Sequence, residues 1–226
     1  MIAERAATLA TGDGVVLEAR LAHLLAPVGG VVVAHPHPLY GGDMDNPVVV
    51  RVAEVCADLG FATLRFNFRG VGASTGTHGG GDAEERDVEA ALTHLREILG
   101  VSRPLALAGY SFGATIAARV ATRRGAGSDL AGLALIAPPV AMVGDAPFLA
   151  LAGLAAPLLV VAGSQDQYCP AEALAELTRR LPRATVSIIE GANHFFFGKL
   201  FLLGEAVAGW ARGLVTRESG GRRSTG

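Results

Sequence analysis

The pattern Gly-x-Ser-x-Gly occurs twice in the chain, at Gly72-Ala-Ser74-Thr-Gly76 and at Gly109-Tyr-Ser111-Phe-Gly113. Glycines on both sides let the backbone turn sharply between a strand and a helix and push the serine hydroxyl outward, as a nucleophile requires. Ser111 has that setting, with the apolar run Pro104-Leu-Ala-Leu-Ala108 before it and the helix-like Phe112-Gly-Ala-Thr-Ile-Ala-Ala-Arg119 after it. Ser74 has neither next to it, so Ser111 is the candidate nucleophile. A serine hydroxyl needs a base, and the base needs an acid to orient it. Of six histidines, His194 lies in Gly191-Ala-Asn-His194-Phe195, just beyond a strand candidate. His23 falls in an early strand, His78 in a glycine-rich loop, and His94 off the apolar stripe of its helix. Asp166 follows another strand candidate through Gly163-Ser-Gln, with Asp145 as the alternative acid.

Acyl transfer also requires donors for the developing oxyanion. One is the backbone N–H of Phe112, directly after the nucleophile. The second is expected from His35-Pro36-His37-Pro38-Leu39-Tyr40-Gly41-Gly42, where the prolines cannot donate and His37 or Leu39 remain. By its position two residues after the loop's first histidine, His37 is chosen. Tyr40, Val140, Met142, Tyr168 and Phe195 are the pocket candidates. The pair His35-x-His37, with Asp43 and Asp45 nearby, also has the look of metal ligands, but position 39 is Leu where an H-x-H-x-D site needs an acid. No metal and no cofactor is expected. Gly70-Val-Gly72-Ala-Ser-Thr-Gly76 has the wrong spacing for a nucleotide loop, and no G-x-x-x-x-G-K-[ST] is present.

The elements that must position these residues are legible as alternation. Short apolar runs at 15–21, 30–34, 61–66, 104–108, 130–136, 158–162 and 185–189 read as strands, several buried on both faces. Helical period marks 47–59, 82–99, 112–124, 171–181 and 199–214. Strand–helix alternation of this kind means a parallel α/β sheet, whose ligands bind outside the carboxyl ends of the strands. Ser111, Asp166 and His194 each follow a strand, in the order nucleophile, acid, base.

These residues resemble the α/β-hydrolase superfamily, and within it small bacterial lidless carboxylesterases related to dienelactone hydrolase. The resemblance covers about residues 28–210 and is carried by the histidine–proline loop, Arg65-Phe-Asn-Phe-Arg-Gly-Val-Gly72, Gly109-Tyr-Ser-Phe-Gly113, Ala137-Pro-Pro-Val140 and Gly191-Ala-Asn-His-Phe195. It implies an α/β-hydrolase fold with a mostly parallel central sheet, helices on both faces and no cap domain, since only residues 137–157 separate the two strands where caps are inserted. It implies Ser111 as nucleophile, His194 as base, Asp166 as acid, and main-chain donors near His37 and Phe112. Dienelactone hydrolases proper carry Cys at the elbow, and Ser111 departs from that. The expected activity is cleavage of small carboxylic esters or thioesters through an acyl-enzyme. The rivals are a catalytically silent binding protein of the same fold, and a peptidase or acyltransferase using the same triad.

Composition narrows the field further. The 226 residues suit a single domain, expected over 1–215 with a disordered Ser/Gly/Arg-rich tail at 216–226. A net charge of −2 without a basic run argues against nucleic acid as a partner. Cys56 and Cys169 give neither a disulfide framework nor a zinc pattern. The uncharged stretch 146–165 is long enough to span a bilayer, but Pro147 and Pro157 interrupt it. A cytoplasmic protein acting on a small ester or thioester, without a membrane, is expected; monomer and homodimer both stay open.

Overall fold

The computed structural model describes residues 3–125 and 129–221. Eight strands form one sheet: β1 Glu4–Ala10, β2 Val16–Ala22, β3 Gly29–Ala34, β4 Phe61–Phe66, β5 Leu105–Tyr110, β6 Leu130–Ile136, β7 Leu158–Gly163 and β8 Ala184–Ile189. Their order across the sheet is β1-β2-β4-β3-β5-β6-β7-β8, with β2 antiparallel to both its neighbours, β1 and β4, and all pairs from β4 to β8 parallel. The seven strands read from apolar runs are all present, within two residues at their ends. β1 is an addition. Its Glu, Arg, Thr and Ala residues lie mostly exposed on the sheet edge, and only Leu9 is buried, so no apolar run announces it.

The helices are α1 Pro47–Asp58, α2 Glu84–Leu99, α3 Phe112–Arg124, the short α4 Val140–Val143 and α5 Ala146–Leu149, then α6 Ala171–Arg179 and α7 Leu200–Gly221. α1 and α7 cover one face of the sheet through Val48, Val52, Leu203, Val207 and Trp210. α2, α3 and α6 cover the other through Val88, Leu92, Leu95, Ile116 and Leu177. The backbone of α7 is helical to Gly221, so the first part of the expected disordered tail continues a helix. Extending a formed helix costs little per residue, and no proline stops this one. Positions 222–226 of that tail lie outside the described residues.

Strand β3 is followed by β4 on one side and by β5 on the other. The helices after β3 and β5, α1 and α3, accordingly lie on opposite faces, and a crevice opens between the two preceding loops at the carboxyl edge. The stretch between β6 and β7 holds only α4, α5 and a 3-10 turn, Ala150–Gly153, so there is no cap domain. Residues 146–165 are thereby divided among α5, this turn and β7, and among the described residues no helix is long and apolar enough to cross a membrane.

Candidate active site

Ser111 sits in the turn between β5 and α3 with φ 55° and ψ −114°, a conformation that L-residues rarely adopt and that costs about 1–3 kcal/mol. Packing around it sustains the strain. The Ser111 N–H donates to the Ile136 carbonyl on β6 at 2.9 Å, and its own carbonyl accepts from Ala114 and Thr115 of α3. A Cβ on Gly109 would stand 2.2 Å from the Gly113 carbonyl oxygen, and one on Gly113 would stand 2.5 Å from that of Ala34. The two glycines are required because backbone meets backbone here, which lets β5, α3 and the end of β3 close on one another.

Asp166 lies in the turn after β7 and His194 in the loop after β8, both nearly buried at 3% and 6% exposure. Asp166 Oδ1 accepts from the main-chain N–H of Tyr168 at 2.8 Å and of Cys169 at 3.1 Å, which fixes the carboxylate. His194 Nδ1 lies 2.8 Å from Asp166 Oδ2, and its Nε2 lies 3.0 Å from Ser111 Oγ. With the Nδ1 proton facing a carboxylate, Nε2 is the acceptor for the serine hydroxyl. The acid and base loops are laced together by Gln165 N–H to the Ala192 carbonyl and by Gly191 N–H to Ser164 Oγ, both at 2.9 Å.

Tyr110, immediately before the serine, was not anticipated from the sequence. It is buried, its hydroxyl donates to the His194 carbonyl at 3.0 Å, and its ring lies 5.6 Å from that of His194. It ties the serine turn to the histidine loop. The signal available was its place inside Gly-x-Ser-x-Gly, but an apolar strand end gives no hint that its hydroxyl has a distant partner.

The loop after β3 engages several of its own N–H groups. The Leu39 N–H donates to His37 Nδ1 at 3.2 Å, and those of Tyr40 and Gly42 donate to the His37 carbonyl. Among the described residues, the N–H groups of His37 and Phe112 have no acceptor within the protein. Both residues line the same cleft as Ser111, beside the positive end of α3. This cleft has a volume of about 410 Å³, and Tyr40, Met142, Tyr168 and Phe195 line it. Val140 does not. It is turned into the core, and its neighbours Pro139, Met142 and Val143 face the cleft instead.

The other candidates from the sequence have structural positions. Ser74 Oγ donates to the Asn67 carbonyl at 2.8 Å and accepts from Glu18 N–H at 2.9 Å, pinning its loop to β2. Asp145 pairs with Arg180 at 3.3 Å, away from His194. His35 is fully buried, with Nε2 accepting from Phe68 N–H at 2.9 Å and Nδ1 donating to the Pro36 carbonyl at 2.6 Å. Asp45 is ion-paired to Arg65. With both His35 nitrogens on main-chain partners, the His35/His37 pair has no ligand set, and among the described residues no three of His, Cys, Asp and Glu cluster as a metal site would.

Burial lowers the His35 pKa from 6.5 to about 4, ahead of a smaller opposing effect of the Pro36 carbonyl. The unfolded imidazole therefore takes up its proton near pH 6.5 while the folded one stays neutral to about pH 4, and stability falls as the pH drops through that window. The contribution lost is about 3 kcal/mol. Urea unfolding of wild type and of His35→Gln at pH 7.5 and pH 4 should show the gap between them shrinking by that amount at the lower pH. A gap that stays constant would contradict the buried neutral state.

An eight-stranded, mostly parallel sheet without a cap, bearing a serine on a strained strand–helix turn with histidine and aspartate at the neighbouring strand ends, defines a lidless α/β serine-hydrolase architecture. A family model for an alpha/beta hydrolase domain matches residues 29–199, and the chain belongs to that family. A protein of Rickettsia prowazekii that carries no assigned function is 35% identical over 187 residues, which span 80% of this chain and 77% of that one. The structure of an alpha-beta serine hydrolase homologue from Coxiella burnetii is similar at a TM-score of 0.80 and 34% identity, covering 90% of this chain and 95% of that chain. A Xanthomonas campestris serine hydrolase without lid is similar at 0.79 and 29% identity, covering 92% and 94%. Family membership supports hydrolysis as the activity.

Proposed function

We propose that this protein cleaves small carboxylic esters or thioesters through Ser111, His194 and Asp166. The observation that carries the reading is the single imidazole spanning 3.0 Å to Ser111 Oγ and 2.8 Å to Asp166 Oδ2, assembled from the ends of three different strands. His194 Nε2 takes the Ser111 proton as Oγ bonds to the substrate carbonyl carbon, and the oxyanion is received by the N–H groups of His37 and Phe112. The tetrahedral species collapses by breaking the bond to the alcohol or thiol, which leaves with the proton from His194. Water then adds to the acyl-enzyme, giving its proton to His194, and the carboxylic acid departs as Ser111 regains its hydrogen. Asp166 stabilises the imidazolium in both halves. The two free, buried cysteines suit the reducing cytoplasm.

Intact-mass labelling with a fluorophosphonate tests the nucleophile. Wild type should gain one adduct and Ser111→Ala none; an adduct surviving in the mutant would move the nucleophile elsewhere. Tyr110 is a positioning residue in this scheme. Tyr110→Phe should lower kcat about tenfold with KM within twofold, because the lost hydrogen bond orients the base and touches no substrate. A change confined to KM would argue against that role.

A further inference from the structure

The triad leaves open what surrounds the scissile bond, and the walls of the cleft bear on it. Among the described residues, no Lys, Arg, Asp or Glu lines the cleft. Tyrosines aside, its ionisable side chains are His37 and His194. His194 is engaged at both nitrogens by Ser111 and Asp166. The His37 ring receives the Leu39 N–H, and burial, reinforced by neighbouring His78, lowers its pKa, so it is neutral at pH 7. Outside the cleft, Arg65 pairs with Glu4 and Asp45, Arg69 with Asp13 and Asp87, Arg119 with Asp82 and Arg180 with Asp145, while the Lys199 ammonium lies beside Gly191 and is not among the lining groups. The rim is apolar and open to solvent, with Tyr40 at 79% and Met142 at 59% exposure and Phe195 half-exposed beside them.

Resting on the serine-hydrolase reading, we infer that the substrate is electrically neutral on both sides of the scissile bond, with an apolar acyl or aryl group against Tyr40, Met142 and Phe195. An anionic group drawn below the open rim would shed water and find no Lys or Arg among the lining side chains, a loss that costs binding heavily. The positive end of α3 offers no compensation, because it faces the position of the reacting oxygen. Half-esters of dicarboxylic acids are therefore poor substrates, and a thioester gains nothing from phosphates on its carrier.

Matched pairs of equal chain length test this at pH 7.5. By pH-stat, kcat/KM for methyl hexanoate should exceed that for monomethyl adipate at least about a hundredfold. S-butyryl-N-acetylcysteamine, a neutral thioester, should be cleaved at least as efficiently as butyryl-coenzyme A. Met142→Arg and Tyr40→Arg place a cation on the exposed rim, and either should shift the ester ratio at least about tenfold toward monomethyl adipate. Wild-type values for the two esters within threefold of each other would overturn the inference. So would a coenzyme A preference above tenfold, or a ratio unmoved in both variants. Fluorophosphonate labelling of the same preparation separates the two levels. A labelled protein that favours the charged esters loses this inference and keeps its serine chemistry, whereas an unlabelled and inactive protein loses both.

Discussion

Asp166→Asn should lower kcat about ten-thousandfold while leaving the fold intact. The reason lies in how the carboxylate is held. Oδ1 is fixed by two main-chain N–H groups, from Tyr168 and Cys169, so an amide at 166 must place its oxygen there. Its NH2 group then takes the place of Asp166 Oδ2, the nearer of the two oxygens to His194 Nδ1 at 2.8 Å against 3.0 Å for Oδ1. Two donors cannot share that contact, and the imidazole responds by carrying its proton on Nε2, the nitrogen that must accept from Ser111 Oγ. The base is then in the wrong tautomer even though every atom is close to its original place. Steady-state hydrolysis of a neutral ester, with circular dichroism to verify folding, checks this. A loss smaller than tenfold would mean that Asp166 does not set the tautomer.

Gly113→Ala should also be damaging, through stability rather than chemistry. The new methyl would stand 2.5 Å from the Ala34 carbonyl oxygen and 2.6 Å from that of His35. These are main-chain atoms at the end of β3 and cannot rotate aside, so α3 must move away from the sheet. Overpacking of this kind costs about 3 kcal/mol, which for a domain this size lowers Tm by roughly 6–12 °C. Gly209→Ala is the control. It lies within α7 with nothing within 4 Å of its would-be Cβ, and it should raise stability by about 0.5–1 kcal/mol through helix propensity. Equal melting temperatures for Gly113→Ala and wild type would show that the contact relaxes without cost.

What the sequence conveyed and what it withheld have physical causes. The buried parallel strands were legible because strands covered on both faces must be apolar throughout, as Gly29–Ala34 and Leu158–Gly163 are. β1 was hidden by the same logic, since an edge strand facing water needs only one buried residue. Ser111 could be told from Ser74 because a turn between strand and helix leaves a mark in the flanking residues. His37 was preferred to Leu39 on loop position alone, and the sequence carries no sign that the His37 ring folds back onto the amide two residues ahead. Tyr110 and Val140 show the remaining limit. Which way a side chain turns at the edge of a core depends on neighbours distant in sequence, in these cases the histidine loop and the packing beneath α4.

The dispersal of Ser111, Asp166 and His194 over β5, β7 and β8 also governs how the protein acquires its reactivity. Contacts between residues 28 and 83 positions apart form only after the chain has closed the corresponding loops, and such closures slow folding. Since β6 lies between β5 and β7, and β8 pairs only with β7, a chain missing either junction cannot bring the imidazole to the serine. On the proposed triad, partly folded chains are hydrolytically silent. During refolding from urea, the return of fluorophosphonate reactivity should coincide with the slowest structural phase, which makes the serine a clock for completion of the sheet.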